Sequence, residues 1–156
     1  MTSHIWVEWK YRLPVSKDDT VSLRLISVEK GTPQLGTVLS LNYEIRDRET
    51  NKVAGRIGLR FGESEAIFYL GHVGYSVKPE FRGRKYAYRA CRLCLPLFQK
   101  QNMESICITT DEDNVPSIRT CEKLGCRYES TVDVPSWCRQ LFEISMKKRR
   151  YILILA

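Results

Sequence analysis

Apolar and polar residues alternate through Val21, Ser22, Leu23, Arg24 and Leu25. That two-residue period is the mark of a half-buried strand. Residues 29–36 carry Gly31, Pro33 and Gly36 and read as a loop. Residues 38–46 and 53–61 return to strand character, separated by the polar run 47–52. Residues 62–65 then turn the chain into a third run at 66–77. Three neighbouring strands with short polar turns predict an antiparallel meander. No helical period is found between Leu25 and Val38.

The period then changes. Tyr86, Ala90, Leu93, Cys94 and Leu97 follow the stripe of a core-facing helix, which Pro96 is expected to kink or fray near its end. Residues 105–110 form a short apolar strand. Asn114 is a good N-cap for a second helix, with Pro116 in its first turn and Gly125 just past its end. Ile118, Cys121 and Leu124 give that helix its buried side. Strand, helix, strand, helix implies a parallel strand pair joined by a right-handed crossover. A last strand is expected over about residues 140–146. The apolar tail 151–156 is left as an edge strand, a dimer contact or a segment outside the fold.

Composition narrows the class. The chain has 156 residues, 43% of them hydrophobic and 28% charged, which suits one domain over 1–156 with a real core. No run approaches the length of a membrane span, and the first residues lack the basic start and apolar stretch of a signal peptide. A cytoplasmic protein is the expectation. Six cysteines and two histidines do not form paired metal-ligand spacings, so no metal is expected and the thiols read as small buried hydrophobes. The net charge of +7 gathers in two clusters, Arg82–Arg92 and Lys147–Arg150. A basic balance suits solvated faces, a polyphosphate cofactor or an acidic partner. No nucleic-acid reader motif is present.

The candidate chemistry starts at the turn after the third run. There Arg82, Gly83, Arg84 and Lys85 lead directly into the first helix. Main-chain N–H groups at a helix start make an anion site, and here cations surround them. The ligand that fits most simply is a phosphorylated cofactor. The alternative is an ordinary strand-to-helix turn with a cationic face.

Two motifs carry a resemblance. Arg82-Gly83-Arg84-Lys85-Tyr86-Ala87 is similar to the pyrophosphate signature Arg/Gln-x-x-Gly-x-Gly/Ala of the GNAT superfamily of acyl-CoA N-acyltransferases, with Lys85 in place of the middle glycine. Asn114, Ser117, Glu122, Lys123, Leu124 and Gly125 resemble the family's second motif, in the version of the branch that includes ribosomal-protein N-acetyltransferases. The resemblance covers residues 38–126. It implies an α/β GNAT fold, with a mixed central sheet, antiparallel N-terminal strands and a strand–helix–strand–helix C-terminal half. It also implies acetyl-CoA as cofactor and transfer of its acetyl group to a primary amine, on a small molecule or a peptide, by direct attack. A non-catalytic acyl-CoA-binding sensor or scaffold is the rival reading. A homodimer is left open.

The resemblance also places residues. Main-chain groups of Tyr75, Ser76 and Val77 would pair with the pantetheine arm. The N–H groups of Arg82, Gly83, Arg84, Lys85, Tyr86 and Ala87 would hold the pyrophosphate, Lys85 doing so if its φ is negative. Asn114 and Ser117 would touch the cofactor arm, or serve only as helix caps. His72 stands where relatives carry a base, and imidazole titrates near neutral pH; Glu44 is the alternative. Relatives use a tyrosine acid where this chain has Cys121, whose thiol resembles the leaving group in acidity. The family's two helices between its first and second strands, which line the acceptor site, are missing. Trp6, Trp9 and Tyr11 are expected to fill that gap.

Overall fold

A computed structural model describes residues 9–155. Its first sheet has the order β1-β2-β3-β4, formed by β1 (Val21–Glu29), β2 (Leu39–Asp47), β3 (Val53–Phe61) and β4 (Val73–Val77). All of its neighbours are antiparallel. Leu23, Leu41, Tyr43, Ile45, Ile57, Leu59 and Val73 line one face. The helix α2 (Tyr86–Lys100) buries Ala90, Cys91, Cys94, Leu97 and Phe98 against it. This helix continues through Pro96 to Lys100, so its end does not fray at the proline. Tyr11 packs at a tilt against Phe61, which in turn meets Phe98, so the N-terminal aromatic packs on the α2 side. Trp9 is exposed. Neither one fills the place of the missing helices, and Trp6 lies outside the described residues.

The third run splits in two. Residues 65–70 are a helix, α1 (Glu65–Leu70), and only Val73–Val77 is strand. Ser64 caps α1 by accepting the Ile67 N–H, and Gly71 ends it at a φ of 76° that favours glycine. Between β1 and β2 the chain makes only the short 3₁₀ turn Pro33–Leu35.

A second sheet has the order β5-β7-β6: β5 (Ser105–Thr110), β6 (Arg127–Asp133) and β7 (Lys147–Ile154). The helix α3 (Val115–Leu124) joins β5 to β6, and α4 (Ser136–Phe142) joins β6 to β7. The last strand therefore lies later than 140–146, part of which is α4. The apolar tail is the central strand of this sheet, with Tyr151, Leu153 and Leu155 buried. The basic run before it is not a loose tail. Lys148 pairs with Asp111 at 2.7 Å and Arg150 with Glu129 at 2.7 Å.

No ladder joins β4 to β5. They meet through the His72 N–H, which donates to Cys107 O at 2.7 Å, and then part company. The expected bonded parallel pair is thus pinned only at its start, and a gap opens beyond it. No helix among the described residues is long and apolar enough to cross a membrane.

Candidate active site

The gap exposes one edge of β4. Arg60 N–H bonds His72 O and Lys78 N–H bonds Ala54 O, which fixes the phase of the β3–β4 ladder. Residues 72, 74, 76 and 78 then face β3, while the main-chain groups of Tyr75 and Val77 face the gap. Ser76 turns its main chain to β3. Of the three predicted strand contacts, the geometry leaves the main-chain groups of Tyr75 and the N–H of Val77 available to a ligand lying in the gap, while Val77 O already accepts from Arg82.

The turn from β4 into α2 forms one wall of a cavity of about 460 Å³. Arg82, Gly83, Lys85, Tyr86 and Ala87 line it from the turn, and Pro116, Arg119, Thr120 and Lys123 line it from α3. Among the described residues, none of the N–H groups from Gly83 to Tyr88 finds a main-chain or side-chain acceptor. Tyr86 and Ala87 are buried, so their unmet donors are costly unless a ligand supplies an acceptor. Lys85 adopts φ 63° and ψ 27°, the left-handed conformation. The condition of a negative φ at Lys85 is thus not met: lysine holds the left-handed backbone at the position where the family signature has glycine.

Charge follows the same plan. The Lys85 ammonium faces that of Lys123 and pushes the Lys123 pKa below the ordinary lysine value. Like charges stand in contact, and no carboxylate lines the cavity, so its wall is positively charged. Lys123 also rests on an aromatic face, its Nζ being 4.9 Å from the Tyr88 ring centre. Arg82 donates from Nε to Val77 O at 3.1 Å, tying the turn to the end of β4. Arg84 stacks over Phe81 and does not line the cavity, and the Tyr86 hydroxyl is anchored on Asp47. Sequence reasoning missed Arg119. Pro116, Arg119, Thr120 and Lys123 recur at helical spacing, a signal that one face of α3 carries charge.

Where the strands part, a second cavity of about 210 Å³ is lined by Arg60, Tyr75, Asp111, Asn114, Ser117 and Lys148, among others. Asn114 Oδ1 caps α3 by accepting the Ser117 N–H at 3.2 Å, and Asn114 also faces the cavity. The Tyr75 hydroxyl lies 2.8 Å from Ser117 Oγ. Burial pushes the Tyr75 phenol above its ordinary value, with the neighbouring Cys121 and Cys91 adding to the effect.

The three predicted catalytic residues are not brought together. His72 is buried, and both ring nitrogens are engaged. Nδ1 accepts the Cys107 N–H at 2.9 Å, and Nε2 lies 2.8 Å from Glu63 Oε1. With the Nδ1 lone pair committed, the neutral ring carries its proton on Nε2 and has no site left to accept another. Glu44 pairs with Arg46 at 2.9 Å and does not line the cavity at the strand gap. Cys121 is wholly buried; its hydrogen bond to Cys126, and then burial, push its thiol up.

The fold and these motifs define a family. Residues 4–127 match the model of the Acetyltransferase (GNAT) domain, and the chain belongs to that family. Solved structures of like fold include a ribosomal-protein-S5-alanine acetyltransferase from Vibrio fischeri, at 21% identity and a TM-score of 0.57, covering 74% of this chain and 61% of that one. The microcin C7 self-immunity acetyltransferase MccE, in complex with acetyl-CoA and AMP, gives 19% identity and a TM-score of 0.57 over 74% of this chain and 61% of that one. The ribosomal L7/L12 acetyltransferase RimL, in complex with coenzyme A, gives 16% identity and a TM-score of 0.57 over 74% and 62%. The chain thus spans under two thirds of the length of each of these structures. No curated protein matches it in sequence.

Proposed function

We propose that the protein is an acetyl-CoA-dependent N-acetyltransferase in which a primary amine attacks directly. One observation carries the reading: unmet N–H donors of the 83–88 turn and the unpaired cations of α3 converge on one cavity, beside the free edge of β4. Residues Gly83–Ala87, with Lys85, Arg119 and Lys123, suit a pyrophosphate; the β4 edge at Tyr75 and Val77 suits the amide arm. Bound there, acetyl-CoA supplies the activated acetyl thioester.

The chain's own groups then divide the remaining work. The free N–H groups of β4 orient a carbonyl in the gap. Tyr75 Oη holds a proton at the wall of the inner cavity, positioned by Ser117, and is the group placed to give one up there. This phenol takes the place of the family tyrosine that Cys121 replaces in sequence. His72 serves as the joint between the sheets. The acceptor's proton leaves to water reaching the cavity, whose single carboxylate, Asp111, is already held by Lys148 and Ser145.

The test is a broad amine panel with acetyl-CoA, followed by release of free thiol and by mass of the product. An acetylated amine at a rate above the enzyme-free control is the expected result. Tight acetyl-CoA binding with no transfer to any amine would contradict catalysis and leave the sensor or scaffold reading.

A further inference from the structure

The polar face of the first sheet, opposite α2, holds a cation that no described residue neutralises. Arg60 lies on β3, and its Nη1 donates to Leu70 O at 3.2 Å and Gly71 O at 3.0 Å. Among the described residues no carboxylate pairs with it. Burial pushes its pKa down from the ordinary arginine value. A desolvated charge without a counter-charge is costly, and the cost is recovered when a ligand brings one.

The surroundings are shaped for that ligand. Gly58 and Gly74 stand opposite one another in the β3–β4 register. A Cβ on Gly74 would lie 3.1 Å from Arg60 Nη2, so the glycine leaves the guanidinium its room. Among the described residues Nη2 makes no hydrogen bond, which leaves one edge of the planar fork free for an oxyanion. Arg60 lines both the inner cavity at the strand gap and a groove of about 500 Å³ over the sheet face. Arg56 adds a second cation to the groove, and Glu29 is its single carboxylate.

We infer that the acceptor amine carries an oxyanion, a carboxylate or a phosphate, which Arg60 binds while the amine enters the inner cavity. This rests on the proposed acetyl transfer. It assigns Arg60 a specificity role and leaves acetyl-CoA recognition to the 83–88 turn.

The experiment compares matched acceptors: an amino acid with its amide, and phosphoethanolamine with ethanolamine. Wild-type protein should favour the anionic member of at least one pair by roughly tenfold or more in kcat/KM, the scale of a charge-assisted bond; which pair responds tells carboxylate from phosphate. Arg60→Gln should abolish the preference through KM, with acetyl-CoA affinity unchanged. Gly74→Ala, which keeps the charge but crowds Nη2, should reduce it in the same direction and guards against a folding defect in the first variant. Equal use of both members by wild type, or an unchanged preference in both variants, overturns the inference. Absence of transfer to every amine overturns the proposed function and this inference with it, a result distinct from transfer without charge preference.

Discussion

His72 and Cys107 form the hinge pin of the fold: His72 N–H donates to Cys107 O, and Cys107 N–H donates back to His72 Nδ1 at 2.9 Å. The two sheets meet at this reciprocal pair, and the gap for a ligand opens beyond it. The imidazole is therefore the acceptor for a buried main-chain donor. His72→Ala should destabilise by about 1–3 kcal/mol, the cost of orphaning such a group. His72→Asn, whose amide oxygen can take the same N–H, should recover much of the melting temperature and keep acetyl transfer within a few-fold. Loss of turnover in a well-folded His72→Asn protein would restore the base role.

Lys85 is the second test of backbone against side chain. Its left-handed conformation costs an L-residue about 1–2 kcal/mol relative to glycine. Lys85→Gly should raise the melting temperature in the absence of ligand. Coenzyme A should bind more weakly, because one cation is gone, yet still bind through the main chain. Lys85→Ala should lose the cation without relieving the strain. Calorimetric titration and thermal melts of both variants separate the two effects.

Much of this architecture is written locally. The first three strands, the strand at 105–110 and the two longer helices follow from period and capping residues. The run 66–77 reads as one strand, and its first part is a helix instead, because Ala66-Ile67-Phe68-Tyr69-Leu70 is apolar throughout and suits a buried helix as well as a strand. The Ser64 cap and Gly71 decide for a helix, and both were legible. The last strand was not, since it is a strand by virtue of pairing with β5 and β6 on both sides. The site divides in the same way. The cationic turn could be read from its motif. The sign of φ at Lys85 and the engagement of both His72 nitrogens depend on packing that no neighbouring residue announces.

Tyr75→Phe tests the proton donor. Thermal stability should change little, since one partly buried hydrogen bond to Ser117 is lost. Turnover should fall by roughly 10²-fold if the phenol supplies the proton, the usual scale for general acid catalysis. KM for acetyl-CoA should move far less. An unchanged kcat with the preferred acceptor would remove Tyr75 from the chemistry.

Alkaline pH should unfold the protein early. Burial pushes the Cys107 thiol up to about 11, and Cys91 and Cys94 are raised as well. An unfolded thiol loses its proton near about pH 8.5, so above that value the unfolded chain binds fewer protons than the native one and stability falls with rising pH. Denaturant midpoints measured between pH 7 and pH 10 under reducing conditions should decline across this window. A flat profile would show that these thiols are not held protonated in the native state.

The most direct measurement of the central claim is calorimetric titration of acetyl-CoA into wild type, Arg82→Glu and Lys52→Glu. Arg82 ties the 82–87 turn to β4, whereas Lys52 is exposed on the loop between β2 and β3. Wild type and Lys52→Glu should bind one equivalent with similar affinity, and Arg82→Glu should bind far more weakly, by more than salt screening of a remote charge allows. No binding by folded wild type at millimolar acetyl-CoA, or equal losses in the two variants, would contradict the assignment of this turn as the cofactor site.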